Sequence, residues 1–78
     1  MKEEPPTLPK RFHDKVAAFP EYSMGVNRIK IDLANGQRIY DVFVAGSGVI
    51  VKIGNKQIER EEDLDFNTND ITAVMPEG

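Results

Sequence analysis

The chain has 78 residues, of which 40% are apolar and 29% charged, so it holds at most one small domain. With no cysteine and a single histidine, His13, it has no disulfide framework, no thiolate metal site and no multi-histidine site within one chain. Nothing in it approaches the roughly 20 apolar residues of a membrane span and no signal peptide is visible, so a cytoplasmic protein is the expectation. A domain this short buries only about 60% of the surface its unfolded chain exposes, and its stability is expected to be slim or shared with a partner. The net charge of −3 is unevenly spread: residues 1–56 carry nine Lys/Arg against six Asp/Glu, and residues 57–78 carry one against seven. A weakly basic body with an acidic end is not the strongly basic field of a general nucleic-acid binder.

Residues 1–8, with Pro5, Pro6, two glutamates and little to bury, read as a disordered tail ahead of a single domain over residues 9–78. Residues 9–18 read as a short helix. Pro9 suits its first turn, Phe12, Val16 and Phe19 fall at i, i+4 and i+7 on one face, and Pro20 ends it. So short a helix must dock, and covering an open edge of the protein's own sheet is the favoured use, ahead of docking on a neighbouring copy.

Residues 21–26 are a connector containing Gly25. In residues 27–33, Ile29, Ile31 and Leu33 then alternate without a fault against Arg28, Lys30 and Asp32. That period of two is a strand with one dry face, and Asn35-Gly36 after it is a tight-turn signal. The second strand, over residues 37–45, has two possible registers. A two-residue turn pairs Ile31 with Tyr40 and turns Tyr40, Val42 and Val44 inward; a bulged turn pairs Ile31 with Ile39 and turns Ile39 and Phe43 inward. Both of its sides are apolar enough to be partly covered.

After Gly46-Ser47-Gly48, the β-branched run of residues 49–53 reads as a central strand. A Gly54-Asn55 turn leads to a short strand near residues 56–59. Residues 60–65 form a charged loop or one helical turn, and Phe66 anchors it. The last strand covers residues 70–75, with Ile71, Ala73 and Met75 alternating against Thr72 and Val74, and Pro76 ends it. The expected fold is mainly β: five short antiparallel strands with tight turns in a small barrel, plus one N-terminal helix.

The order of helix, alternating strand (Ile29, Ile31, Leu33), Asn35-Gly36 turn and long second strand (Ile39, Val42, Phe43) resembles the opening half of Sm-like small barrels. The resemblance covers about a third of the chain and implies an SH3-like or Sm-like barrel shape. This sequence departs from that family where the family binds RNA. The loop after the second strand is Gly46-Ser47-Gly48 with no aspartate-to-asparagine signature, and the segment before the last strand is acidic instead of carrying an Arg-Gly motif. Shape alone does not carry function.

Three chemistries are open to the residues. Acid–base catalysis needs positioned groups in a pocket, whereas Glu59, Glu61, Glu62, Asp63 and Asp65 stand in a stretch with little to desolvate them, and His13 lies on the polar flank of the helix. No enzyme and no cofactor is expected. Asp63-x-Asp65-x-Asn67-x-Asn69 has the oxygen spacing of half a calcium loop. It has Thr68 where the loop needs glycine and Val74 where it needs glutamate, so side-chain turns are the favoured use and no metal site is expected.

Arg28, Lys30 and Arg38, beside Tyr40 or Phe43 according to register, are expected to form a basic and aromatic strip of the kind that stacks and pairs with single-stranded nucleic acid such as RNA. Asp32 and Asp41 sit among them, and cross-strand ion pairs are the commoner use of that mixture. The expected function is therefore a non-enzymatic interaction module. It meets a protein partner or itself through a sheet edge or the Phe43 face, with nucleic-acid binding as the alternative and no membrane partner.

Overall fold

The computed structural model describes residues 4–77. In it the alternating segment becomes strand β1 (Val26–Leu33), burying Ile29, Ile31 and Leu33 and leaving Arg28, Lys30 and Asp32 half-exposed on the other face. Four strands follow: β2 (Arg38–Ala45), β3 (Val49–Ile53), β4 (Lys56–Gln57) and β5 (Ile71–Pro76). All pair antiparallel in one sheet of order β4-β3-β2-β1-β5, in which β4 and β5 are the ends and do not pair with each other. The protein is mainly β with one short helix, as the sequence predicts.

The register of β2 turns out to be both of the two registers open in the sequence, one in each half. Near the turn Ile31 faces Ile39 and Asp32 faces Arg38; further on Ile29 faces Val42 and Asn27 faces Val44. The slip falls at Tyr40 and Asp41, which together oppose Lys30. Gly36 makes the turn at φ +91°, with the Leu33 amide donating to the Gln37 carbonyl at 2.8 Å. Asp41 takes φ +57°, a left-handed conformation that aspartate tolerates better than most residues. As a result Val42 and Val44 are buried, Ile39 packs at the rim of the core, Tyr40 is exposed, and Phe43 faces away from the core.

Two more ladders slip in the same way. Phe43 faces Lys52 but Val44 faces Ile50, leaving Val51 unpaired in the β2–β3 ladder; Asp32 faces Ala73 but Leu33 faces Ile71, leaving Thr72 unpaired. The second slip corrects the expected alternation of β5: Ile71 and Val74 are both buried, while Ala73 and Met75 are half-buried. Each slip bends its strand and adds right-handed twist, so a sheet with three of them curls around its own apolar side. β4 is shorter than the segment 56–59 foreseen. Pro76 is the last residue of β5, not a stop beyond it, which an edge strand allows.

The tail expected over residues 1–8 is not what residues 6–8 form. Thr7 bridges Val49, the Ile50 amide donates to the Pro6 carbonyl at 2.9 Å, and the Leu8 amide donates to the Gly48 carbonyl at 2.8 Å. β4 pairs only with Lys52 and Ile53, so this segment takes the half of the β3 edge that β4 leaves open. Proline fits there because Pro6 supplies an acceptor and no donor is asked of it. Leu8 is 1% exposed and belongs to the core. Residues 1–3 of the expected tail lie outside the described residues.

A 3₁₀ turn (Lys10–Phe12) runs into helix α1 (His13–Ala17), with Phe12 and Val16 buried and Phe19 packed against the same cluster. The helix lies on its own sheet, where Arg11 Nη2 donates to the Ile71 carbonyl of β5 at 2.9 Å. His13 Nε2–H donates to the Leu8 carbonyl at 2.9 Å, and its ring rests on Gly48. A Cβ at Gly48 would come within 2.8 Å of Nε2, so glycine is needed there for close approach. Asn27, buried on the core side of β1, donates from Nδ2 to the Pro20 and Phe19 carbonyls at 3.2 and 3.4 Å, tying the helix exit to the sheet. Between β4 and β5, Asp63 Oδ2 accepts from the Glu59 and Arg60 amides around a 3₁₀ turn (Glu61–Asp63), and Leu64 and Phe66 pack back onto the core.

Candidate interaction face

The five residues of the predicted strip do come together. On the outer face of the β1–β2 hairpin Arg28 stands opposite Phe43, Lys30 opposite the Tyr40–Asp41 bulge, and Arg38 opposite Asp32. Chemistry divides them. Arg28 donates from Nη2 and Nε to Asp41 Oδ1 at 2.6 and 3.0 Å, with Glu77 Oε2 at 3.9 Å. Arg38 grips Asp32 with two prongs, Nε to Oδ1 at 2.6 Å and Nη2 to Oδ2 at 3.1 Å. The hydrogen bonds from Arg38 hold the Asp32 carboxyl below its usual range, against a smaller opposing effect of burial. The same bonds raise the pKa of Arg38, and the hydrogen bonds that Arg28 donates to Asp41 raise that of Arg28. Both guanidiniums are thus committed to carboxylates of this chain, the cross-strand ion pairs favoured on sequence grounds. The Lys30 side chain has no hydrogen bond or ion pair among the described residues.

The bulge is itself part of this network. The Asp41 amide, left without a ladder partner by the slip, donates to Glu77 Oε1 at 2.8 Å, and the Asp41 carbonyl accepts from the Gly54 amide at 2.9 Å. Asp41 therefore joins Arg28 of β1, Glu77 beyond β5 and Gly54 beyond β3, and a buried or half-buried backbone donor is satisfied.

The aromatic half of the face is open. Phe43 meets the Tyr22 ring edge-on, with centroids 5.3 Å apart and planes at 70°, and Lys52 Nζ lies 5.5 Å from the Phe43 centroid. Tyr22 is 59% exposed, Tyr40 52% and Met24 94%. A hollow of about 280 Å³ between Tyr22, Val26, Phe43, Val51 and Lys52 continues the face across β3. Tyr40 and Phe43 are legible in the sequence as part of this face, whereas Tyr22 and Met24 are not among the residues it singles out. Their signal was two large side chains in a six-residue connector too short to bury them. The structure closes that connector as a tight turn, with the Tyr22 amide donating to the Val26 carbonyl at 2.8 Å, which sets Tyr22 on Phe43.

Two of the four side chains with calcium-loop spacing are used locally. Asp63 caps its turn, and Asn67 Oδ1 accepts from the Asn69 amide at 2.8 Å, leading the chain into β5. Among the described residues no group of three or more His, Cys, Asp or Glu is placed to hold a metal ion, and no helix is long and apolar enough to cross a membrane. Comparison of the chain with protein-family models, with curated proteins and with solved structures finds no match.

Proposed function

We propose that the protein is a non-enzymatic binding module that meets a protein partner, or a second copy of itself, through the Phe43 face. One observation carries this reading. The large apolar side chains most open to solvent are Tyr22, Met24 and Tyr40, and they stand on that face or on the turn beside it. Aromatic residues and methionine are the side chains enriched where proteins touch, because they bring much apolar area at little entropic cost. A face is favoured over an edge, since residues 6–8 cover half of the β3 edge, while Arg11 and Pro76 occupy the two ends of β5.

The fold reading that goes with it is a small SH3-like or Sm-like barrel. Its support is the three ladder slips that curl the sheet and the helix that lies against β5. Single-stranded RNA binding ranks below a protein partner, because Arg28 and Arg38 would first have to give up Asp41 and Asp32.

The test compares the native chain with a Tyr22→Ser/Met24→Ser/Tyr40→Ser variant, by sedimentation over a concentration series and by differential capture on immobilised protein. Self-association, or a retained protein, that the triple variant loses supports the proposal. A strict monomer that retains nothing beyond what the variant retains overturns it.

A further inference from the structure

At the end of the sheet near the β1–β2 turn, a cavity of about 210 Å³ opens between the rim of the core and the 61–66 loop. Its walls are Ile39, Ile53, Ile58, Leu64 and Phe66, and of these only Ile58 is fully buried. A second hollow of about 440 Å³ adjoins it through Gln37, Asp65 and Phe66 and reaches Asp70. A dry cavity of roughly 150 Å³ is enough to take a benzene ring, so the first hollow has room for one large apolar side chain.

The charge around this groove has one dominant sign. Asp63, Asp65 and Asp70 line the two hollows against Lys56 alone, within a segment, residues 57–78, that carries seven carboxylates and one arginine. Asp63 is anchored by the Glu59 and Arg60 amides, which hold its carboxyl below the usual range and keep it ionised. We propose that the groove binds a basic peptide segment of a protein partner. One leucine or phenylalanine of the peptide enters the first hollow, and flanking lysines or arginines face Asp65 and Asp70. This site lies apart from the Phe43 face and does not rest on the reading of that face.

The apolar walls supply the fit and the carboxylates supply the sign. An acidic peptide is rejected by repulsion, and a basic peptide without the central apolar residue binds only through screened surface charge. The probes are three amidated, acetylated pentapeptides, Lys-Lys-Phe-Lys-Lys, Lys-Lys-Ser-Lys-Lys and Glu-Glu-Phe-Glu-Glu, titrated into the ¹⁵N-labelled native chain. The phenylalanine-centred basic peptide is expected to shift the amides of Ile39, Ile53, Leu64 and Phe66. It should bind at least tenfold more tightly than the serine-centred peptide and weaken as salt rises, while the acidic peptide leaves the spectrum unchanged. Asp65→Asn/Asp70→Asn is expected to lower that affinity severalfold without moving the signals of Val42 and Val44 in the core. Equal binding of the phenylalanine and serine peptides, shifts spread over the acidic surface but absent from the pocket amides, or no shift at all would overturn the proposal.

Discussion

Leu8 offers the sharpest test of how the sheet is completed, because composition alone places it in a tail and the structure places it in the core. Its side chain is 1% exposed, and its amide is bonded to Gly48. Leu8→Ala removes a fully buried isobutyl group, and such changes cost about 2–5 kcal/mol once the residual cavity is included. Native stability at 0.05–0.15 kcal/mol per residue is about 4–12 kcal/mol for a chain of this length, so the substitution removes a large share of it. With a urea m-value of about 1–1.5 kcal/mol/M, the low end of the range for small proteins, a loss of about 3 kcal/mol lowers the unfolding midpoint by about 2–3 M. Thr7→Ala, next to it but exposed, is the control and is expected to change stability by less than about 0.5 kcal/mol. Leu8→Met conserves volume and should cost less than about 1.5 kcal/mol, which keeps the comparison readable if the alanine variant fails to fold. A Leu8→Ala midpoint no lower than that of Thr7→Ala would refute the pairing of residues 6–8 with β3.

Asn27→Leu keeps the volume but leaves the Phe19 and Pro20 carbonyls without their donor; a loss of about 1–3 kcal/mol in urea unfolding is expected, together with faster amide exchange at the end of α1. Glu77→Ala strands the Asp41 amide and is expected to cost about 1 kcal/mol and move the Asp41 amide resonance, whereas Glu77→Gln, which keeps an acceptor, should restore most of both. Asp32 and Asp63 have folded-state pKa values below the ordinary aspartate value of about 3.9, so the unfolded chain takes up their protons first. Their contribution to stability is full above that value and is lost as pH falls through the lowered one, and Asp63→Asn should flatten the fall in the urea midpoint below about pH 4. Single-stranded RNA or DNA at low salt is expected to leave the amides of Arg28, Lys30 and Arg38 unmoved; a strongly salt-dependent shift there would reverse the ranking of partners.

What could be read in advance was what the chain writes locally. The unbroken alternation of Ile29, Ile31 and Leu33 with the Asn35-Gly36 turn specified β1 and its hairpin, since period and turn chemistry are both short-range. The Arg28–Asp41 and Arg38–Asp32 pairs were legible only as a mixture of opposite charges within one ribbon: the first needs the register that turns Val42 inward and the second the one that turns Ile39 inward, so only the slip brings both onto the outer face. The slips at Tyr40–Asp41, Val51 and Thr72 were not legible as positions. Each depends on the backbone of one residue, and Asp41 is held at positive φ by Glu77 and Gly54, both remote in sequence. The places of Pro6 and Leu8 are hidden for a related reason: prolines mark a segment that cannot continue a ladder, yet they permit one that only lends a carbonyl to its edge. The exposure of Tyr22 and Met24 is set by the short length of the connector and not by its glycine, the stronger local signal there.

The slip at Tyr40–Asp41 has a consequence for how this ribbon tolerates length variation. The two halves of the hairpin each keep their own frame, so deleting Tyr40 would fuse them into a regular ladder in which Ile31 still meets Ile39 and Ile29 still meets Val42. Every inward side chain would remain inward; what disappears is a bend and an aromatic on the far side. A one-residue gain or loss at this spot therefore trades surface and curvature while leaving the interior untouched, a freedom that a uniformly paired hairpin, where the same change inverts a whole flank, does not have.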